Sequence, residues 1–266
     1  MVPRRLGRVP VVSGGDPASH APLSQRITSL HAMLLLRSLI YNLFHWTITV
    51  FYAVAIILCW PLPWKIRWQL GRGWSLANVA ALRILCGIKL DVQGLENIPD
   101  HPVVVVSKHQ SAWETVAFPV FMPPFNWVLK KELLYIPFFG QALLALEQIA
   151  IDRSAGRQAL KQLNDEGGKR IAAGRSVTIF PEGTRIAPGQ VGDYQMGGIW
   201  LAKHAGVPLL PIAHNAGKVW PRKGFIKRPG TISVRIGKAI ALDGNNKAIL
   251  ANVKEAIEGM MAQLPQ

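Results

Sequence analysis

A histidine and a carboxylate stand just after a run of four valines, in Val103-Val104-Val105-Val106-Ser107-Lys108-His109-Gln110-Ser111-Ala112-Trp113-Glu114. A neutral imidazole bound through one nitrogen to a carboxylate is oriented, held in one tautomer and made more basic. Such a pair can take a proton from a hydroxyl as that hydroxyl attacks a carbonyl, which typically contributes about 10² to 10⁴ in rate. On one continuous helix, His109 and Glu114 would point about 140° apart and would not meet. If His109 lies in a turn and Ser111 caps a helix, Glu114 falls at its third position and completes a capping box. From there the carboxylate reaches either the imidazole or only the backbone N–H of the cap.

A second stretch suits an anion. Phe180-Pro181-Glu182-Gly183-Thr184-Arg185 closes the apolar run that begins at Ser176. Gly183 allows close backbone approach, Thr184 offers a hydroxyl, and Arg185 offers a fork for phosphate oxygens. Glu182 would repel a phosphate, so it reads as a partner of Arg185 or as an acceptor for a substrate hydroxyl.

The elements that must carry these residues can be read from hydrophobic patterning. Val103–Val106, Ser176–Phe180 and Leu209–Ala213 are short apolar runs, as expected of strands buried on both faces. Thr231–Ile236 is a further candidate strand. Ser154–Ala173 and Asn246–Leu264 carry helical patterns. Strands alternating with helices predict an α/β fold, a mostly parallel sheet flanked by helices, in which functional groups gather where strands end.

The N-terminal third differs. Residues 1–30, rich in Arg, Pro, Gly and Ser, read as a mobile basic extension. Ser38–Trp60 then contains no Asp, Glu, Lys or Arg over 23 residues. As a helix it would span about 34 Å, enough for a hydrocarbon core of about 30 Å. Basic residues flank both ends, so charge does not set an orientation. Either the segment spans the membrane, or it dips into one leaflet and returns through an amphipathic helix at about 65–86. Trp60, Trp64, Trp68 and Trp74 suit the headgroup layer. The chain thus divides into an extension (1–30), membrane-associated helices (31–87) and an α/β domain (88–266).

Composition agrees with a membrane-surface protein. Half of the residues are apolar, yet Lys and Arg outnumber Asp and Glu by 30 to 15. Residues 1–90 hold ten basic residues and one acid, leaving the remaining +6 of the net +15 to residues 91–266. Anionic lipid fits such a chain better than nucleic acid, which would not explain Ser38–Trp60. Cys59 and Cys86 sit in apolar runs and form no metal or redox motif. HExxH, GxSxG and GxxxxGK[ST] motifs are absent, so metalloprotease, α/β-hydrolase and P-loop chemistries lack their residues.

His109-x4-Glu114 followed by Phe180–Arg185 resembles the glycerolipid acyltransferase family, specifically the bacterial 1-acylglycerol-3-phosphate acyltransferases. Lys130-x-Glu132-Leu133, Ile136–Gly140 and Ile149–Arg153 look like its second block, and Val207–Ile212 like its fourth. The resemblance covers about residues 88–215. It implies that His109 deprotonates the free hydroxyl of lysophosphatidic acid while Glu114 orients it. It also implies that Arg153, Glu182, Gly183, Thr184 and Arg185 meet the glycerol phosphate. Lys130, with the backbone of Gly183, is a possible stabiliser of the thioester oxyanion. The acyl donor would be acyl-CoA or acyl-acyl carrier protein, with no cofactor and no metal. The implied location is a bacterial inner membrane, with the site at the cytoplasmic face.

Three departures from the family pattern stand out. Glu114 replaces the usual Asp, Lys108 replaces a frequent Asn and is free to meet a phosphate or the donor, and Glu147-Gln148 precede Ile149 where Gly is common. The apolar stretch Val116–Leu146 reads as the lining of an acyl pocket, with Phe121 and Phe138 as determinants of chain length. The basic run from Lys218 to Lys238 could meet headgroups, an acidic carrier protein or the phosphates of CoA. His101, His204 and His214 lie beside loops or strand ends and receive no catalytic role. Alternative readings are the same chemistry on another lysolipid, such as a lyso-ornithine lipid, or a non-catalytic basic membrane- or nucleic-acid-binding protein.

Overall fold

The computed structural model describes residues 23–265. Seven strands form one sheet: β1 (Ile88–Gln93), β2 (Val104–Ser107), β3 (Phe125–Lys130), β4 (Ile149–Ile151), β5 (Ser176–Ile179), β6 (Leu209–His214) and β7 (Gly230–Ile236). Their spatial order is β1-β7-β6-β2-β5-β3-β4. Pairing is parallel throughout except between β6 and β7. The parallel crossovers run through α3 (Trp113–Phe121), α4 (Phe139–Ala145), α5 (Arg157–Ala172) and α6 (Gly197–Ala205). The short α7 (Ala216–Val219) and the closing α8 (Asn246–Gln263) complete the domain.

The four valines show why a strand buried on both faces has no polar alternation. Val103 and Val105 enter one core with Trp113, Phe118, Leu210 and Ile212. Val104 and Val106 enter the other with Leu163, Ile199, Leu209 and Ile249. Each such side chain contributes about 1.5–3 kcal/mol on burial. Lys108 continues the even series, so its ammonium is carried into the α8 face with only 1% of the side chain exposed. It meets Glu182 at 2.7 Å and Glu258 of α8 at 2.8 Å. Tyr194 donates to the same Glu258 oxygen at 2.8 Å. The expectation that Lys108 meets a phosphate or the donor is therefore corrected: its charge is already spent inside the fold.

The N-terminal helices α1 (Leu23–Leu58) and α2 (Trp64–Cys86) form an antiparallel hairpin. His45 contacts Asn78 at 2.7 Å, and Trp74 donates to Thr49 at 2.9 Å. α1 begins eight residues before the expected end of the extension, and residues 1–22 lie outside the described residues. Ile27–Leu58 is long and apolar enough to cross a membrane. Yet a stripe of α1, including Ser38, Tyr41, Thr49, Ala53 and Ile56, is buried. Tyr41, Trp68, Leu82 and Cys86 belong to the same core as Val105 and Phe118, so position 87/88 divides elements but not cores.

Both ends of the hairpin are tied to the domain. Lys227 donates through its backbone to Ser38 at 2.9 Å and through its ammonium to Asn42 at 2.6 Å. At the other end, Trp64 donates to the Leu146 carbonyl at 2.9 Å, and Arg67 bonds the Ala145 carbonyl and Glu147. Glu147 sits at φ 58°, a left-handed conformation that favours glycine. Here the strain of a side chain is offset by Arg67, Arg170 and Arg175, all within 3.8 Å of the Glu147 carboxylate.

Removing the Lys108 cation should leave the buried Glu182 carboxylate facing the half-buried one of Glu258. Lys108→Met is expected to lower stability by about 3–5 kcal/mol. Adding Glu182→Gln and Glu258→Gln should restore most of the loss, read by denaturant unfolding of the detergent-solubilised protein. Equal stability of wild type and Lys108→Met would refute this role for the cluster.

Candidate active site

In an open parallel sheet, ligands bind beyond the carboxyl ends of the strands. Five adjacent strands here deliver the candidate residues to that edge. β6 ends at His214, β2 leads into Lys108-His109, β5 into Phe180–Arg185, β3 ends at Lys130, and β4 leads into Arg153.

His109 lies in the turn after β2, not on α3. Glu114 does both things open to it. Its Oε1 accepts from the backbone N–H of Gln110 at 2.7 Å and of Ser111 at 2.8 Å, while Ser111 Oγ accepts from Trp113 N–H. Only half of the expected capping box forms: Glu114 reaches back to the Ser111 N–H, but Ser111 Oγ takes the Trp113 N–H and not that of Glu114, and α3 is capped at Ala112. The same Oε1 stands 3.8 Å from His109 Nδ1, with the Glu114 side chain fully buried. That separation is an electrostatic contact, longer than a hydrogen bond. His109 Nδ1 and Glu114 Oε2 are both buried without a hydrogen-bond partner. Catalytic bonds of this kind often tighten only when substrate is bound.

Burial pushes the Glu114 carboxyl up, but His214, His109 and the Gln110 N–H outweigh it and hold the group below the usual carboxylate range. Glu114 is thus an anion at neutral pH despite having no water. His214 Nε2 is 3.2 Å from Glu114 Oε1 and closer to it than His109 is. Burial lowers the His214 pKa, so this ring is neutral.

The imidazole of His109 is also fixed in its plane. Phe180 stacks on it at 3.8 Å and 11°, and Trp127 stacks on Phe180 at 5.4 Å and 20°. Phe180 and His214 touch the His109–Glu114 pair directly and are positions that sequence reasoning did not single out. Phe180 was read only as the end of a strand. His214 could have been found only from the register that sets β6 beside β2.

His109, Lys130, Arg153, Gly183, Thr184 and Arg185 line one cavity of about 610 Å³. Arg222, from the basic loop after α7, joins them. Among the described residues, none of Arg153, Arg185 and Arg222 is paired with a carboxylate. Arg185 Nε is buried without a partner. Arg153 donates to the Gly183 carbonyl, and Arg222 to the Arg185 carbonyl at 3.2 Å. The two thereby bracket the turn that carries Arg185. Three unpaired guanidiniums around one opening suit a phosphate.

Two expectations are corrected. Glu182 does not line the cavity: its side chain is buried, one oxygen on Lys108 and the other accepting from the His109 N–H at 3.0 Å. It supports the catalytic turn from behind and pairs with Lys108, not with Arg185. The Gly183 N–H is donated to the Phe180 carbonyl at 3.0 Å, so the turn itself uses the group expected to meet the oxyanion. Gly183 holds the turn through its left-handed φ of 66°. Lys130 remains available at the cavity wall.

The rest of the cavity is mostly apolar. Val116, Pro119, Val128 and Leu143 come from the expected segment, while Tyr52, Ala53, Ile56 and Gly71 come from the hairpin. Phe121 and Phe138 are not part of the lining: Phe121 packs into the core beside a separate groove, and Phe138 is 53% exposed. The hairpin therefore closes one wall of the cavity.

Comparison with known proteins agrees with this arrangement. The family model described as Acyltransferase matches residues 89–215. A 1-acyl-sn-glycerol-3-phosphate acyltransferase of Pseudomonas aeruginosa is 47% identical over 203 residues, covering 76% of this chain and 79% of that protein. A chloroplastic 1-acyl-sn-glycerol-3-phosphate acyltransferase of Brassica napus is 32% identical, covering 60% of this chain and 48% of the relative. The fold is that of the crystal structure of the 1-acyl-sn-glycerophosphate (LPA) acyltransferase PlsC from Thermotoga maritima, with a TM-score of 0.70 at 23% identity over 87% of this chain and 98% of the other. The chain belongs to the acyltransferase family, among relatives named 1-acyl-sn-glycerol-3-phosphate acyltransferases.

Proposed function

We propose that the protein transfers a fatty acyl group from an acyl thioester, acyl-CoA or acyl-acyl carrier protein, to the sn-2 hydroxyl of 1-acylglycerol-3-phosphate. The products are phosphatidic acid and the free thiol. One observation carries the reading: the His109–Glu114 pair opens onto a single cavity that has unpaired guanidiniums at its polar part and a mostly apolar remainder. The names of the relatives agree with it. A lyso-ornithine headgroup would bring one carboxylate beside an ammonium, and no phosphate, to Arg153, Arg185 and Arg222, so a phosphate-bearing acceptor is favoured.

With Nδ1 turned to Glu114, Nε2 of His109 is the atom left for the substrate. It takes the hydroxyl proton as the oxygen attacks the thioester carbonyl. The tetrahedral intermediate then collapses, the C–S bond breaks, and the leaving thiolate recovers the proton from the imidazolium. Glu114 stabilises that imidazolium without taking its proton. Lys130 is the candidate for the oxyanion, a contribution of about 3 kcal/mol for a well-placed donor.

The hairpin is read as lying in one leaflet, because α1 packs along the domain from Ser38 to Ile56. Its other face bears Leu43, Trp46, Phe51 and Leu58, each more than 60% exposed. Acyl chains would then enter the cavity sideways from the lipid, with the site facing the cytoplasm at a bacterial inner membrane.

His109→Ala is expected to reduce transfer from acyl-CoA or acyl-carrier donors by about 10² to 10⁴-fold, with vesicle binding unchanged. Retained turnover would defeat the mechanism. Arg185→Ala should raise KM for lysophosphatidic acid about 10- to 100-fold, as for loss of a charged hydrogen bond, and leave KM for the donor near its original value. Gly71→Leu, which projects a side chain from α2 into the apolar part of the cavity, should favour shorter acyl donors. An unchanged preference across a donor series would show that the chain lies elsewhere.

A further inference from the structure

His214 is fully buried, is not part of the cavity lining, and has no part in the proton transfer described above. Its two nitrogens are nevertheless assigned by their partners. The Ala216 N–H points at Nδ1 at 3.3 Å, and an amide can only donate. Nδ1 is therefore the acceptor and Nε2 carries the proton. Nε2 faces two acceptors, the Lys108 carbonyl at 2.8 Å and Glu114 Oε1 at 3.2 Å. An imidazolium would set a second N–H against that of Ala216, so the geometry requires the neutral ring.

We propose that His214 is a positioning residue for acyl transfer: its Nε2–H is shared between the carbonyl of the residue before His109 and the carboxylate that faces His109, fixing both halves of the catalytic pair from the end of the neighbouring strand. This rests on the transfer reaction proposed above.

The groups around the ring support a positioning role. Glu114, Trp113 and Phe118 face it from α3, His109 and the Lys108 carbonyl from the turn after β2, and the Glu182 charge acts on it from the turn after β5. The nearest acid, Glu114, would favour a protonated His214, but burial outweighs it and the pKa is lowered. The ring thus gives Glu114 a neutral donor that does not neutralise the charge needed by His109. Each donor to a carboxylate weakens its proton affinity. Loss of this one should make the Glu114 carboxylate more basic, so the acid limb of kcat/KM should move to higher pH. A residue that only filled space would not move that limb.

The test combines two variants with one spectrum. His214→Leu removes the N–H, whereas His214→Gln can present an amide N–H near the position of Nε2. The account expects His214→Leu to lose about 10- to 100-fold in kcat, with KM for lysophosphatidic acid little changed and the acid limb displaced upward. His214→Gln should keep most of kcat and the original limb. A folded His214→Leu protein with wild-type kcat and acid limb would overturn the proposal, as would a His214→Gln limb displaced as far as that of Leu. If His214→Leu does not fold, the ¹⁵N spectrum of the wild-type imidazoles supplies the second measurement. A neutral Nε2–H ring throughout pH 6–8 supports the assignment, and a charged or Nδ1–H ring contradicts it. Failure of wild-type protein to transfer acyl groups would count against the proposed reaction, whereas an active wild type with an indifferent position 214 would count only against this inference.

Discussion

A carboxylate sealed from water can be satisfied only by the protein, and Glu114 draws its partners to one oxygen, around which the site is organised. Its Oε1 gathers two backbone N–H groups of the catalytic turn, the Nε2–H of His214 and the nearby Nδ1 of His109. Losing the ionised form would release these contacts together, since a neutral acid attracts each of them less. The turn that carries His109 is thus shaped by the same charge that the proposed mechanism uses to stabilise its imidazolium. Glu182 repeats the device from the other side, with one oxygen on the His109 N–H and the other on Lys108. Structure and chemistry here draw on the same two anions.

The sheet makes this arrangement possible by setting β6, β2 and β5 side by side and parallel, so that His214, His109 and the turn after β5 emerge together. The aromatic stack of His109, Phe180 and Trp127 then links β2, β5 and β3 across that edge. α8 reaches the same place through Glu258, which connects the C-terminal helix to the catalytic turn. On the opposite face the hairpin shares the main core and closes the apolar cavity. The helix long and apolar enough to cross a membrane and the wall of the cavity that His109 lines thus belong to one structural unit.

Much of this was legible in the sequence, for physical reasons that also explain the gaps. β2, β5 and β6 could be read because strands buried on both faces are continuous apolar runs. β3 lay hidden inside the apolar stretch 116–146, where strand and helix patterns cannot be separated by periodicity. For Glu114, spacing left two readings open, the imidazole or only the backbone N–H of the cap, whereas the gathering of Arg153 and Arg185 came from the resemblance to a family. Lys108 and Glu182 were misjudged because charged residues beside a phosphate motif read as ligand contacts. The available counter-signal was the even-numbered series Val104, Val106, Lys108, which carries the ammonium inward. His214 and the three arginines around Glu147 depend on contacts between distant elements, to which no local pattern points.

The central claim is that the acceptor hydroxyl attacks the thioester directly under general-base assistance from His109. It is tested most directly by mixing purified enzyme with acyl-CoA in the absence of acceptor and following both thiol release and the mass of the intact protein. The account predicts no stoichiometric release of thiol and no acylated chain until lysophosphatidic acid is added, when thiol and phosphatidic acid appear together. A burst of one equivalent of thiol with an acyl group attached to the protein would contradict it.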